Sequence, residues 1–302
     1  MKPNIYEKCP EFETNSFRLR LVNLEDAKDL LTCYSDPNAV ARMNADNCTS
    51  NFYFTTEDEM KKYIEFWLST YRNKGFVRLA IIPKAEIDAE HAIGTIELFG
   101  GEYGVLRIDL ATEWEQSRYI EEIIKLVIDR LVGILQVKKL VIKESNVPER
   151  REVFQKFGFI SSSFRNGGYV EWIRPLYFKR ELGFAVCGLA CCVCKENNSC
   201  AGCRTGGCPD REWCKAYGCW SEKGKNDCTL CEEYPCEFSI INKNKTKAIN
   251  RFIQEYGKDA LLDCLCRNEE QGINYHYYGE FRGDYDCATE EEAYELLLKG
   301  WE

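Results

Sequence analysis

No stretch of the 302-residue chain is apolar for long enough to cross a bilayer; a helical crossing takes about 20 predominantly apolar residues. Nor does an apolar run follow the lysines of the opening segment, MKPNIYEKCPEFET, so the sequence reads without a secretory signal. These two absences point to a soluble, cytoplasmic protein with no membrane partner. Positive charge is short as well: 40 lysines and arginines face 49 aspartates and glutamates, a net charge of −9. A chain of that sign repels a phosphate backbone, which argues against nucleic acid as a partner. No internal repeat and no low-complexity tract is visible. Cysteine is scarce over the first 186 residues, where only Cys9, Cys33 and Cys48 occur.

Cysteine then becomes abundant. Twelve lie between Cys187 and Cys236, and Cys264, Cys266 and Cys287 follow. The length suits about two domains, and the composition shifts near residue 183, so the chain is read as domains 1–182 and 183–302. Disulfides are rare in a reducing cytosol, so a dense cluster there points to metal. Three pairs have C-x2-C spacing: Cys191/Cys194, Cys200/Cys203 and Cys228/Cys231. Such a pair forms a knuckle with both sulfurs aimed at one ion, and a glycine eases the turn, as in CAGC. Cys187, Cys208, Cys214, Cys219 and Cys236 complete the candidate ligands, enough for two or more Zn2+ sites. One grouping is Cys191, Cys194, Cys200 and Cys203 with a second set of Cys214, Cys219, Cys228 and Cys231. An iron–sulfur cluster stays open as the alternative. Cys187-x3-Cys191-x2-Cys194 matches the cysteine spacing of radical SAM enzymes, but the 108 residues after Cys194 lack the βα alternation of their barrel. Between Cys187 and Cys236 six lysines and arginines meet seven acidic residues. Thiolate ligation would add negative charge, so the module suits structure or protein binding rather than phosphate.

The first domain reads as alternating strands and helices. SFRLRLV (16–22) alternates its faces, and Asn23 caps a helix carrying Leu24, Ala27, Leu30 and Leu31. Thr56 with Glu59 makes a capping box for a helix striped by Met60, Ile64, Trp67 and Tyr71. FVRLAIIP, AIGTIELFG and YGVLRIDLA follow as three strands, then a long helix with Ile120, Ile123, Ile124, Val127 and Leu131 on one face. KKLVIK is a buried strand, a helix from Pro148 stops at Gly158, and GFISS and GYVEWIRPLYF complete the sheet. The order is β-α-α-β-β-β-α-β-α-β-β, an α+β mixed sheet flanked by helices.

This order, with AIGTIELFG, LRIDLATEWEQSRYIEEIIKLVIDRL and NVPERREVFQKFGF, resembles the GNAT acetyltransferases over about residues 14–178. The resemblance implies an acetyl-CoA-dependent N-acetyltransferase whose acceptor is an amine of a small molecule or protein. It places the cofactor at Leu110, Ala111, Gln116, Ser117, Arg118, Tyr119 and Ile120. There a loop entering a helix offers free N–H groups and the positive end of a dipole to the pyrophosphate. The family loop carries R/Q-x-x-G-x-G/A; here Gln116 and Arg118 stand at glycine positions and Ile120 brings a β-branched side chain. Arg118 either holds phosphate itself or fills the nest, which leaves a non-catalytic GNAT-fold scaffold as the alternative. A tyrosine that serves some members as general acid is replaced by Phe154. The remaining bases are Asp109 and Glu97, whose plainer reading is as paired strand carboxylates.

Residues 183–302 resemble an uncharacterised cysteine-rich bacterial and archaeal family with the hallmarks C-G-L-x-C-x-x-C, C-x-G-C and C-x-x-C-x-x-x-P-C, here Cys187–Cys194, Cys200–Cys203 and Cys228–Cys236. That implies a small metal-stapled domain with C-terminal helices. Ile249, Phe252, Ile253 and Tyr256 share a helix face before Gly257, and Thr289 with Glu292 caps a last helix. The tyrosines of INYHYYGEFRGDYDC are expected to cover the metal core of the domain, with lining a pocket or stacking on a ligand as the alternative, and His276 among them is a remote candidate metal ligand.

Overall fold

A computed structural model describes residues 4–44, 52–84, 91–224 and 227–300. The chain forms two compact units, Met1–Arg174 and Pro175–Glu302. Residues 175–182, placed in the first domain by the sequence reading, belong to the second unit. The Tyr177 and Phe178 N–H groups donate to the Glu269 carboxylate at 2.8 and 2.9 Å, and Lys179 N–H donates to Cys192 O at 2.7 Å. Pro175 marks the division, because it has no N–H with which to extend the preceding strand.

In the first unit the described residues form one eight-stranded sheet. Its strands are β1 (Phe12–Glu13), β2 (Phe17–Leu21), β3 (Phe76–Pro83), β4 (Gly94–Phe99), β5 (Tyr103–Leu110), β6 (Lys139–Lys143), β7 (Ile160–Ser162) and β8 (Tyr169–Ile173), in the order β1-β2-β3-β4-β5-β6-β8-β7. Every neighbouring pair is antiparallel except β5 and β6. The helices are α1 (Ala27–Ser35), α2 (Pro37–Asn44), α3 (Glu57–Arg72), α4 (Ser117–Leu126), α5 (Val132–Ile134) and α6 (Pro148–Lys156). The α+β sheet and its element order match the sequence reading, with two additions. β1 is too short to leave an alternating signal, and α2 starts in Asp36-Pro37-Asn38, a sequence that reads as a turn.

Apolar periodicity explains the layers. On one face Ile120, Ile123, Ile124 and Val127 pack against Leu106, Ile108, Leu140 and Ile142. On the other, Leu30, Met60, Ile64 and Trp67 pack against Phe76 and Ala80. Each such side chain stabilises the fold by about 1.5–3 kcal/mol relative to exposure. β3, covered on both faces, reads as a continuous apolar run broken only by Arg78. Gly94 is required where β4 meets β5, since a Cβ there would press into the Asp109 carbonyl. Both expected caps form: Asn23 accepts from Glu25 N–H, and Thr56 and Glu59 make a reciprocal box.

The second unit consists of short 3-10 turns and α7 (Lys215–Glu222), α8 (Asn244–Tyr256), α9 (Lys258–Glu270) and α10 (Glu290–Leu298). Its main core joins Ile249, Phe252, Leu261, Leu265, Tyr275, Tyr285 and Leu297. A smaller core holds Val186, Cys187, Cys203, Ala216 and Ile241. Tyr256 keeps to the expected face, its ring 4.9 Å from that of Phe252, at the exposed edge of the core. Gly257, read as a stop, has φ +86 and lets the chain turn directly from α8 into α9. Tyr275 and Tyr285 are buried members of this main core.

Candidate active site and a cysteine-lined cavity

The sheet of the first unit opens at one place. β5 and β6 pair from Tyr103↔Lys139 to Leu106↔Ile142, but β5 runs on to Leu110. Ala111 N–H donates toward β4, to Ile93 O, at 2.9 Å. By alternation the N–H and C=O of Ile108 and Leu110 face the other way, into the opening. From α6, Arg150 crosses to this edge and its Nη2 donates to Ile108 O at 2.8 Å. The same guanidinium is held by Glu115, through Nη2 to Oε2 at 3.1 Å and through Nε to Oε1. Both side chains are buried.

α4 begins beside this opening. Gln116 is its extended N-cap, and its amide donates to Glu113 O at 2.8 Å rather than to the helix. Tyr119 and Ile120 N–H groups return to Gln116 O, while those of Ser117 and Arg118 have no acceptor among the described residues. Arg118 is exposed, with its guanidinium 4.4 Å over the Tyr119 ring and 2.8 Å from the Tyr119 hydroxyl. Tyr119 packs on Phe17 and Trp114, Ser117 Oγ lies 3.4 Å from Glu152, and Ile120 is in the core. Leu110 is core and Ala111 closes the strand.

Asp109 and Glu97 lie in a buried ion network on the sheet face covered by α1–α3. Asp109, fully buried, accepts from Tyr34 Oη at 2.7 Å, from Arg107 Nε at 2.8 and 2.9 Å, and from Arg78 Nη1 at 3.4 Å. Glu97 accepts from Arg78 Nη2 at 2.6 Å and Nε at 3.2 Å. The pairing follows from register, which sets Arg78 opposite Glu97, Glu97 opposite Arg107 and Thr95 opposite Asp109. Two guanidiniums and two carboxylates balance, as buried charges must. Arg107 lies 3.6 Å over the Phe52 ring and Arg78 4.0 Å over Trp67. Burial works to lower the Arg78 pKa, and the attraction of Glu97, Tyr34 and Asp109 outweighs it and raises the value. Burial and then the Asp109 charge push the Tyr34 hydroxyl well up. The sequence reading found the carboxylates but missed Tyr34, Arg78, Arg107, Glu115 and Arg150. The available signal was an arginine inside an apolar strand, in FVRLAIIP and again in VLRIDLA.

With this geometry in place, comparison with known proteins bears on the first unit. Residues 16–160 match the family model of the acetyltransferase (GNAT) domain. This part of the chain is similar to a GNAT acetyltransferase domain. No curated protein matches the chain. Among solved structures, a ribosomal-protein-S5-alanine acetyltransferase from Vibrio fischeri aligns at 15% identity over 55% of this chain and 97% of its own, with a TM-score of 0.41. A GCN5-related N-acetyltransferase from Brucella melitensis aligns at 15% identity, 55% and 79% coverage and a TM-score of 0.41. A ribosomal L7/L12 alpha-N-protein acetyltransferase in complex with coenzyme A aligns at 11% identity, 54% and 98% coverage and a TM-score of 0.39.

Such domains use acetyl-CoA. At the start of α4 two N–H groups have no acceptor among the described residues and one guanidinium stands beside them, an arrangement that favours an anion. The strand edge at Ile108 is already occupied by Arg150.

In the second unit a cavity of about 890 Å³ is lined by Cys187, Cys191, Cys194, Cys200, Cys203, Cys208 and Cys214, with His276 and Tyr275. Cys219, Cys228, Cys231 and Cys236 lie off this lining. All four thiols of the first expected ligand set line this cavity, and of the second set Cys214 does. Among the described residues no three Cys, His, Asp or Glu side chains lie together as a ready-made ligand set. Burial pushes the Cys187 and Cys191 thiols up to about 12 and raises those of Cys194, Cys203 and Cys208. None of these five carries the lowered pKa that a reactive redox thiol needs.

Proposed function

We propose that the GNAT domain transfers an acetyl group from acetyl-CoA to an amine of a small molecule or protein. The match of residues 16–160 to the acetyltransferase family carries this reading. Acetyl-CoA supplies the acyl group as a thioester: the amine nitrogen bonds to the carbonyl carbon, the C–S bond breaks, and CoA leaves as a thiolate that takes a proton from water. The Ser117 and Arg118 N–H groups and the Arg118 guanidinium bind the pyrophosphate at the helix start. Proton acceptance from the amine falls to Glu97, directly or through water. Its carboxylate has Arg78 as its partner and keeps some exposure, whereas Asp109 is fully buried among Tyr34, Arg78 and Arg107. The second unit is proposed to bind Zn2+ through its cysteines, for structure or for acceptor recruitment. Three C-x2-C pairs and seven thiols around one cavity support that part.

Calorimetry with acetyl-CoA tests the first part. The expected result is a measurable affinity that Arg118→Ala weakens roughly ten- to hundredfold, the loss of one charge-assisted hydrogen bond. A non-catalytic scaffold is the second reading, favoured by the Arg150 contact at the strand edge. No heat at millimolar acetyl-CoA, together with no release of free CoA against a panel of amines, would select it.

A further inference from the structure

The Arg150–Glu115 pair occupies the opening of the sheet, and the proposed transfer has no use for it. An unpaired strand edge inside a protein needs hydrogen-bond partners. An extended chain bearing amides adds to such an edge as another strand would. The pantetheine arm of acetyl-CoA is such a chain, with two amide groups. Its N–H donors would seek the carbonyls that β5 turns into the opening, and Ile108 O is one of them. Arg150 Nη2 already donates there at 2.8 Å.

The contact is built to be released. Two links tie the guanidinium to Glu115, and one of them runs through Nε, away from the nitrogen that meets Ile108. Arg150 can therefore let go of the strand while its charge stays paired, which avoids the penalty of a lone buried ion. A backbone carbonyl offers a neutral acceptor and Glu115 a charged one, so the strand contact is the weaker of the two.

We propose that Arg150 is a displaceable guard on the β5 edge. The acyl donor seats its amide arm only when Arg150 Nη2 leaves Ile108 O, with Glu115 keeping the guanidinium partnered. The proposal rests on the acetyl-CoA reading. The acceptor that Arg150 holds is a strand carbonyl, so it is the arm, and not the nucleotide at the start of α4, that competes for it.

Calorimetry on the full chain with two probes tests this: CoA, and 3′-phosphoadenosine 5′-diphosphate, which is the nucleotide half alone. Arg150→Ala is expected to bind CoA at least tenfold more tightly than the wild type, with affinity for the nucleotide half unchanged. Should loss of the partner leave Glu115 buried and unfold that variant, Arg150→Ala with Glu115→Gln removes both charges and carries the same expectation. Circular dichroism shows which variant is folded. Unchanged or weaker CoA binding in the folded variant overturns the guard and leaves the acetyl-CoA reading standing. An equal gain for both probes also overturns it, since the effect would not belong to the arm. If neither probe binds any of the three proteins at millimolar concentration, the guard and the acetyl-CoA reading fail together.

Discussion

His276 shows how a single side chain in the second unit sets a pH dependence. Its ring lies beside Tyr275 and edge-on to Phe281, and its Nδ1 accepts from Lys195 N–H at 3.4 Å. Burial, then Lys245, Lys195 and Lys243, push its pKa down to about 4, against a smaller pull upward from Asp286. Unfolded, the imidazole titrates near about 6.5. Above that value both states hold a neutral ring and the native state keeps its full stability. As the pH falls from 6.5 toward 4 the unfolded state takes up a proton that the native state refuses, so stability is lost across that window. The loss would be about 3 kcal/mol for a fully shielded ring, and about 1–2 kcal/mol for one that keeps some solvent. Urea midpoints of the full chain between pH 7.5 and 4 should therefore fall less steeply in His276→Asn than in the wild type. Equal slopes would show that the ring is not held neutral. The sequence named His276 and the carboxylates Asp109 and Glu97, but not what surrounds them. Arg78 and Arg107 reach those carboxylates across strands, and register between strands is a tertiary fact with no local signature. Arg150 reads as one more charge on a polar helix until its partner, Glu115, is found 35 residues away.

At the scale of elements, local chemistry was the most legible part. Thr56 and Glu59 announce the start of α3, and Thr289 and Glu292 that of α10, because a capping box needs only four adjacent residues. Thr56→Ala should cost about 1 kcal/mol, seen as a lower denaturation midpoint of the first unit. Its helix packs Met60, Ile64 and Trp67 on the sheet, so an unchanged midpoint would mean that these contacts alone fix the start of α3. Periodicity also placed β3, β4 and β5 within a residue or two. It failed at α9, whose KDALLDCLCRNEE follows a glycine that usually ends a helix and here joins two. It did not find α2 either, which opens with turn residues. The bend of α4 into the π-helical turn Val127–Leu131 had no cue, since the apolar stripe runs through it and Asp129 is paired with Lys125 at 2.7 Å.

At the scale of the whole chain, the two units should separate in their response to truncation and to metal removal. The two cores of the first unit draw every buried member from residues 5–172, so a chain ending at Arg174 retains both. Residues 1–174 are expected to be soluble and to unfold cooperatively; a cut at 182 instead leaves a tail whose Tyr177 and Phe178 N–H groups belong with Glu269. An aggregated 1–174 fragment would refute this division. The second unit has two unequal cores. α8, α9 and α10 share seventeen buried residues with the chain around them, whereas the cysteine segment has a cluster of six, two of them cysteine. So small a core does not hold a segment of this length by itself, and structural zinc supplies about 10 kcal/mol or more per site in comparable modules. If the proposed Zn2+ is present, chelation should melt residues 187–236 first, leaving the helices of α8–α10 and the whole first unit in place. Hydrogen exchange before and after chelator reads this by segment, and elemental analysis of the purified chain gives the metal content. Protection that stays unchanged along 187–236 in a protein shown to be free of zinc and iron would mean that the thiols hold this segment as packed, uncharged side chains.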